Sequence, residues 1–179
     1  VAFNPQFLFV SALVTNDALL ITLSAMLLWR CADAIAQPRL LEASLVWSVK
    51  TGVVLGLALL TKQSAMLWIP ILLWTSWQIS LGHLRRTLLR VACWGGTALL
   101  IAGWWYARNW LLYGDPLGLT FFLATFATQP FDWRSFPAWM AAIERLHRSF
   151  WGYFGWLSLL IPLWILRVYT ISEFLGLMG

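Results

Sequence analysis

Long apolar stretches alternate with short polar interruptions along the chain. A helix that crosses a membrane needs about 20 mostly apolar residues, and the interruptions return at roughly that interval. Apolar segments are expected at residues 6–14, 17–30, 44–61, 65–81, 91–112 and 149–167, with 113–148 left as an outer connection. Asn4-Pro5 breaks the chain near its start. Thr15-Asn16-Asp17 reads as an N-cap with an acidic residue in the first turn. The stretch Cys31–Glu42, with Asp33, Gln37-Pro38-Arg39 and Glu42, reads as an aqueous loop, and Lys50 can snorkel toward the same side. Thr61-Lys62-Gln63-Ser64 makes a minimal turn, and Gly82-His83-Leu84-Arg85-Arg86 with Arg90 forms the most basic loop. Within 113–148, Phe136–Phe150 places Trp139, Ile143, Leu146 and Phe150 at helical spacing, with Glu144, Arg145, His147 and Arg148 on the other side. That pattern predicts an amphipathic helix lying in a membrane interface.

Composition strengthens this picture. Of 179 residues, 61% are hydrophobic and 11% charged, and the mean hydropathy is +0.76. A soluble domain carries about 25% charged residues, so the pattern excludes both a water-soluble globule and a disordered chain. Fourteen Trp and eleven Phe suit the two interfaces of a bilayer. The expected fold is all-α: a polytopic transmembrane helical bundle with one interfacial amphipathic helix, forming a single transmembrane domain over residues 1–179. Net charge is +5, but the basic residues are scattered between apolar spans, which argues against nucleic acid and for membrane lipid or phosphate. Placing Arg85, Arg86 and Arg90 in the cytoplasm puts Arg30, Arg39, Lys50 and Arg167 there too, with Lys62, Arg108, Arg134, Arg145 and Arg148 opposite. Cys31 and Cys93 lack metal-ligand or C-x-x-C spacing and read as buried small residues. The chain opens on Val1 without a signal-peptide pattern, and reads as a piece of a longer protein.

Three ionisable residues carry the candidate chemistry. Asp17 and Lys62 are 45 residues apart, and Lys62 and Arg108 are 46 apart. Each interval is about two crossings and a turn, so all three return to one side. Each has a structural reading: Asp17 as an N-cap, Lys62 as a snorkelling turn residue, Arg108 as an anchor among Trp104, Trp105 and Trp110. Together, one carboxylate and two cations suit an anionic, lipid-borne group, with Arg offering a planar fork and Lys a point charge. Gly52-x-x-x-Gly56, Gly95-Gly96 and Gly152-x-x-Gly155 are expected at close helix contacts. Tyr113-Gly114-Asp115-Pro116 reads as a turn. His147 reads as a surface residue, and no metal site is expected.

Four stretches resemble membrane-embedded glycosyltransferases of the GT-C class, which include protein O-mannosyltransferase-like and lipid A aminoarabinose transferase-like enzymes. They are Thr15-Asn16-Asp17-Ala18-Leu19-Leu20, then Gly56-Leu57-Ala58-Leu59-Leu60-Thr61-Lys62-Gln63-Ser64-Ala65, then Trp104-Trp105-Tyr106-Ala107-Arg108-Asn109-Trp110-Leu111-Leu112-Tyr113-Gly114-Asp115-Pro116, and Ser149-Phe150-Trp151-Gly152-Tyr153-Phe154-Gly155-Trp156. The resemblance implies a GT-C-like bundle in a bacterial inner (plasma) membrane, with its site on the extracytoplasmic side. It implies an inverting transfer of sugar from a polyprenyl-phosphate donor to a lipid, polysaccharide or protein acceptor. Asp17 would organise the site or hold a divalent cation, while Lys62 and Arg108 would hold the donor phosphate. Asn16, Asn109, Tyr113 and Asp115 would contact substrate. Enzymes of this class carry their catalytic carboxylate in a loop that would precede Val1, so the fragment is expected to be inactive alone. A carrier or flippase of an anionic lipid, and a non-catalytic membrane scaffold, are the alternatives.

Overall fold

The computed structural model describes residues 4–13, 15–37, 45–126, 131–154 and 159–178, most of them helical. The described helices are α1 (Pro5–Ala12), α2 (Asn16–Ala36), α3 (Val46–Thr61), α4 (Trp68–Ile79), α5 (Leu84–Tyr113), α6 (Leu119–Phe126), α7 (Phe136–Trp151) and α8 (Leu163–Met178). A 3-10 turn, Gln63–Leu67, joins α3 to α4. Two-residue strands β1 (Tyr153–Phe154) and β2 (Leu159–Leu160) pair antiparallel, Tyr153 opposite Leu160. The chain divides into two units, Thr15–Ala127 and Val1–Val14 with Thr128–Gly179.

In the first unit α3 is the central element, packed by α2 on one side and α5 on the other. The stripe Leu23, Leu27, Cys31 and Ala34 of α2 is buried at helical spacing, and α5 buries Thr87, Arg90, Trp94, Ala98 and Ala102 in the same way. Small residues bring the backbones together. A Cβ on Gly52 would lie 2.4 Å from the Trp94 carbonyl oxygen, and one on Gly56 would lie 2.8 Å from Ile101 Cβ. The interior is rich in small and hydroxylated side chains, including Ser48, Thr51, Thr75 and Ser76, whereas Leu100 and Leu111 on α5 are 85% and 86% exposed. Helices α2 and α5 are long and apolar enough to cross a membrane, and α3 is apolar but shorter.

The second unit is built around α7. Asn4 caps α1 through its Oδ1 and donates from Nδ2 to the Phe150 carbonyl at 3.0 Å. Gln6 Oε1 accepts from the Tyr153 N–H at 2.9 Å, and Phe9 meets Phe154 edge-to-face at 5.2 Å. Ser135 caps α7, whose Phe136, Trp139, Ile143, Leu146 and Phe150 are all exposed.

Several boundaries differ from the sequence expectation. The helix expected to stop at Arg30 continues to Ala36, because Arg30 is satisfied within the bundle. Its guanidinium donates to the Trp47 carbonyl (2.7 Å) and Thr51 Oγ1 (3.0 Å), and the Trp47 indole donates back to the Arg30 carbonyl. Pro38, Arg39 and Glu42 lie outside the described residues. Arg85, Arg86 and Arg90 are not in a loop; they occupy the first turns of α5, with Arg90 buried. The actual turn is Leu81-Gly82, both at positive φ, since a left-handed backbone, not charge, ends α4. The outer connection 113–148 contains an unforeseen helix, α6.

The segment 149–167 is not one continuous helix: α7 ends at Trp151, the strand pair follows, and α8 begins after Pro162. A Cβ at Gly152 would lie 2.5 Å from Ile161 Cγ2, so no larger residue fits unless Ile161 moves, while Gly155 lies outside the described residues. Gly95 and Gly96 meet nothing within 4 Å of a notional Cβ and are not at a close contact. His147, expected opposite the apolar stripe, follows Ile143 by one turn and belongs to that stripe's flank.

Gly52→Val is expected to destabilise the bundle by about 1–3 kcal/mol through overpacking. Gly96→Ala, in open space, should stabilise it by up to about 1 kcal/mol through helix propensity. Thermal unfolding in detergent compares the two, and equal shifts would contradict the close α3–α5 approach.

Candidate functional site

Three chain segments meet at one end of the α2–α3–α5 bundle. Lys62 closes α3: its backbone is extended (φ −160°), its N–H bonds to the Ala58 carbonyl, and its own carbonyl accepts from Ala65. This break aims the side chain back along the first turn of α2. Lys62 Nζ donates to Asp17 Oδ1 at 2.5 Å, and beside it Asn16 Nδ2 donates to the Thr61 carbonyl at 3.2 Å. Two consecutive residues of one helix start thus bind two consecutive residues of another helix end. Thr15 is the N-cap but makes no side-chain cap bond, so Asp17 acts as a first-turn carboxylate and not as the cap. The ion pair is half open, with side chains 36% and 43% exposed, and an exposed pair of this kind contributes about 0–1 kcal/mol.

The third segment follows α5. Gly114 ends that helix at φ +67°, its N–H donating to the Trp110 carbonyl at 2.8 Å. Asp115 then accepts from the Leu117 N–H through Oδ1 (2.9 Å) and from the Thr120 N–H through Oδ2 (2.7 Å), so both oxygens fasten the start of α6. The Thr120 hydrogen bond, with help from the other loop amides, holds the Asp115 carboxyl below the usual carboxylate range. Buried Asn109 reaches the Pro116 carbonyl at 3.4 Å. Gln63 Nε2 donates to the Leu117 carbonyl and ties this loop to the Lys62 turn. One turn deeper, the Tyr106 hydroxyl donates to the Leu59 carbonyl at 3.1 Å.

Two openings flank these groups. A groove of about 460 Å³ runs between α2 and α3, lined by Leu19, Leu23, Leu57 and Leu60, with Asn16 and Thr61 also in its wall. A cleft of about 640 Å³ is lined by Tyr113, Asp115, Gly118, Thr120 and Ala124.

Of the residues singled out in the sequence, Asp17 and Lys62 touch, Asn16 braces them, and Asn109 and Asp115 shape the neighbouring loop. Arg108 is exposed and lies over the Trp105 ring at 5.3 Å. Among the described residues no hydrogen bond or ion pair joins it to Asp17 or Lys62. Tyr113 is exposed at the cleft. Asp115 is consumed by its loop, so it serves as a cap more readily than as a free carboxylate. Sequence reasoning did not assign Thr61, Gln63 and Tyr106. Their signal was polarity beside Lys62 and an aromatic hydroxyl two residues before Arg108. Among the described residues no group of three His, Cys, Asp or Glu side chains could hold a metal ion. No family model, curated protein or solved structure matches the chain.

The Asp115 cap has a pH signature. A carboxyl held below its ordinary pKa stabilises its loop at neutral pH and loses that effect as pH falls through the lowered value. Amide hydrogen exchange at Leu117 and Thr120 is therefore expected to lose protection on acidification. Asp115→Asn should show the weakened protection already at neutral pH, and unchanged protection in that variant would contradict the cap.

Proposed function

We propose that this chain is part of a membrane-embedded glycosyltransferase that moves a sugar from a polyprenyl-phosphate donor to an extracytoplasmic acceptor. The observation that carries the reading is the Asp17–Lys62 bridge, which joins residues 45 apart at the ends of two apolar helices. Under this reading α2 and α5 cross the membrane of a bacterial cell within a polytopic bundle, and their Leu and Trp surfaces face lipid. The α7 helix lies in the interface on its exposed apolar stripe.

Arg108, held over Trp105 and open to solvent, would meet the donor phosphate with its planar fork. Lys62, oriented by Asp17, would supply a second positive charge beside the departing phosphate, and positioned cations at a developing anion are a large catalytic contribution. Asn16 and Thr61 would fix that orientation. The groove below them, walled by leucines, supports an apolar substrate tail.

The full-length protein reconstituted in vesicles with a labelled polyprenyl-phosphate sugar tests the proposal. Arg108→Ala is expected to lower transfer by about 10²–10³-fold, with Arg108→Lys restoring part of it. Lys62→Ala should also slow transfer while changing stability by less than about 1 kcal/mol. Wild-type transfer by Arg108→Ala would overturn the phosphate role. Movement of the lipid across the bilayer without a new covalent product would favour a carrier of anionic lipid.

A further inference from the structure

The Asp17–Lys62 bridge is placed so that it can open without parting the helices that carry it. Asn16 Nδ2 holds the Thr61 carbonyl at 3.2 Å, and the Lys62 backbone is fixed by its N–H to Ala58 and its carbonyl to Ala65. The α2–α3 junction therefore survives a change of partner by the Lys62 side chain. That side chain is 43% exposed and its carboxylate partner 36%, so solutes reach both. The groove between α2 and α3 opens beside them, with Asn16 and Thr61 in its wall along with four leucines. A phosphate whose apolar tail lies in that groove meets an ammonium group already holding an anion. Asp115, at the same end of the bundle, uses both oxygens on the amides of its own loop. We propose that Asp17 is an internal counter-anion: it occupies Lys62 between substrates, yields it to the lipid phosphate, and then drives off the more highly charged product. The proposal rests on the transferase reading above and concerns its last step, product release.

Transfer changes the charge of the ligand. Under that reading the donor is a phosphodiester with a single negative charge. The bond between the anomeric carbon and the phosphate oxygen breaks, and its electron pair stays on that oxygen. The acceptor oxygen bonds to the anomeric carbon, and its proton passes to solvent. What remains is a polyprenyl phosphomonoester, whose second ionisation lies at about pH 6, so it carries nearly two negative charges at neutral pH. Cations that help the phosphate depart thus hold the product more tightly than the donor. Lys62 without a counter-anion would make release of that dianion slow. Asp17 offsets this, because its repulsion grows with the charge of the ligand and its own ion pair re-forms as the ligand leaves. An exposed ion pair is weak, which suits a contact that exchanges at every turnover.

Polyprenyl phosphate and its methyl phosphodiester match the charges of product and donor. Each is titrated into the full-length protein in nanodiscs of uncharged lipid, at about pH 8 and about 0.1 M salt. Asp17→Asn keeps the size of the side chain and removes its charge. It is expected to tighten binding of the diester about 3-fold and of the monoester by about the square of that, roughly 10-fold, because the repulsion scales with ligand charge. Asp17→Glu should restore wild-type selectivity. Asp33→Asn makes the same charge change about 24 Å further along α2 and should alter neither affinity. Equal gains for the two lipids in Asp17→Asn, or no gain, would overturn the counter-anion role. So would a loss of affinity, which would leave Asp17 only a brace for Lys62. Product formation by the wild-type protein decides the transferase reading separately: the charge-scaled gain without a glycosylated product would overturn that reading and leave the exchange at Lys62 standing. Failure of the wild type to bind either lipid would overturn both.

Discussion

The first unit depends on how closely two helix backbones can approach. Where Gly52 and Gly56 face Trp94 and Ile101, there is no room for even one carbon atom. That contact sets the register of α3 against α5 along its length. It also places the α3 terminus, with Lys62, beside the α5 terminus, with its Asp115 loop. The Gln63–Leu117 hydrogen bond and the Tyr106–Leu59 hydrogen bond both follow from that register. Small and hydroxylated side chains share the interior with Leu27, Leu55, Leu72, Ile79 and Trp94, while many other large apolar side chains are exposed. Close backbone contact at the small residues, side-chain hydrogen bonds and this apolar cluster together hold the helices.

The candidate site inherits its rigidity from these contacts and its charge from few groups. Asp17 orients Lys62 but also neutralises it in part, so an incoming anion would compete with a carboxylate already in place. Arg108 has no such internal competitor in its described contacts, and the flat Trp105 face beneath it limits its rotamers. The two cations therefore differ in kind: one is braced and partly compensated, the other exposed and stacked.

Much of this was legible from spacing alone. Two returns of about 20 residues suffice to put Asp17 and Lys62 on one side, and the structure brings them into contact. Spacing along the axis says nothing about azimuth, which is why it could not tell that Arg108 lies over the Trp105 ring and makes no ion pair with Asp17 among the described contacts. Charge was a poor marker of helix ends. Arg85, Arg86 and Arg90 continue α5 because arginine is a good helix former, and Arg30 is absorbed by Trp47 and Thr51. Where hydropathy suggested an unbroken span after Ser149, Gly152 and Pro162 were the better guides. The contact of His147 on α7 with Glu173 on α8 could not be read at all, because nothing local links positions 26 residues apart.

The length of α5 sets a dimension as well as a fold. Its 30 residues rise about 45 Å at 1.5 Å each, more than the roughly 30 Å of a bilayer's hydrocarbon core. The interval from Arg90 to Arg108 spans about 27 Å of that axis. Set upright in a bilayer, α5 would carry one cation near each boundary, like marks on a gauge. A thinner membrane would then favour tilt, or draw the Arg108 end outward relative to the headgroups. Bilayer thickness would in that way fix the height at which the Asp17–Lys62 end of the bundle stands.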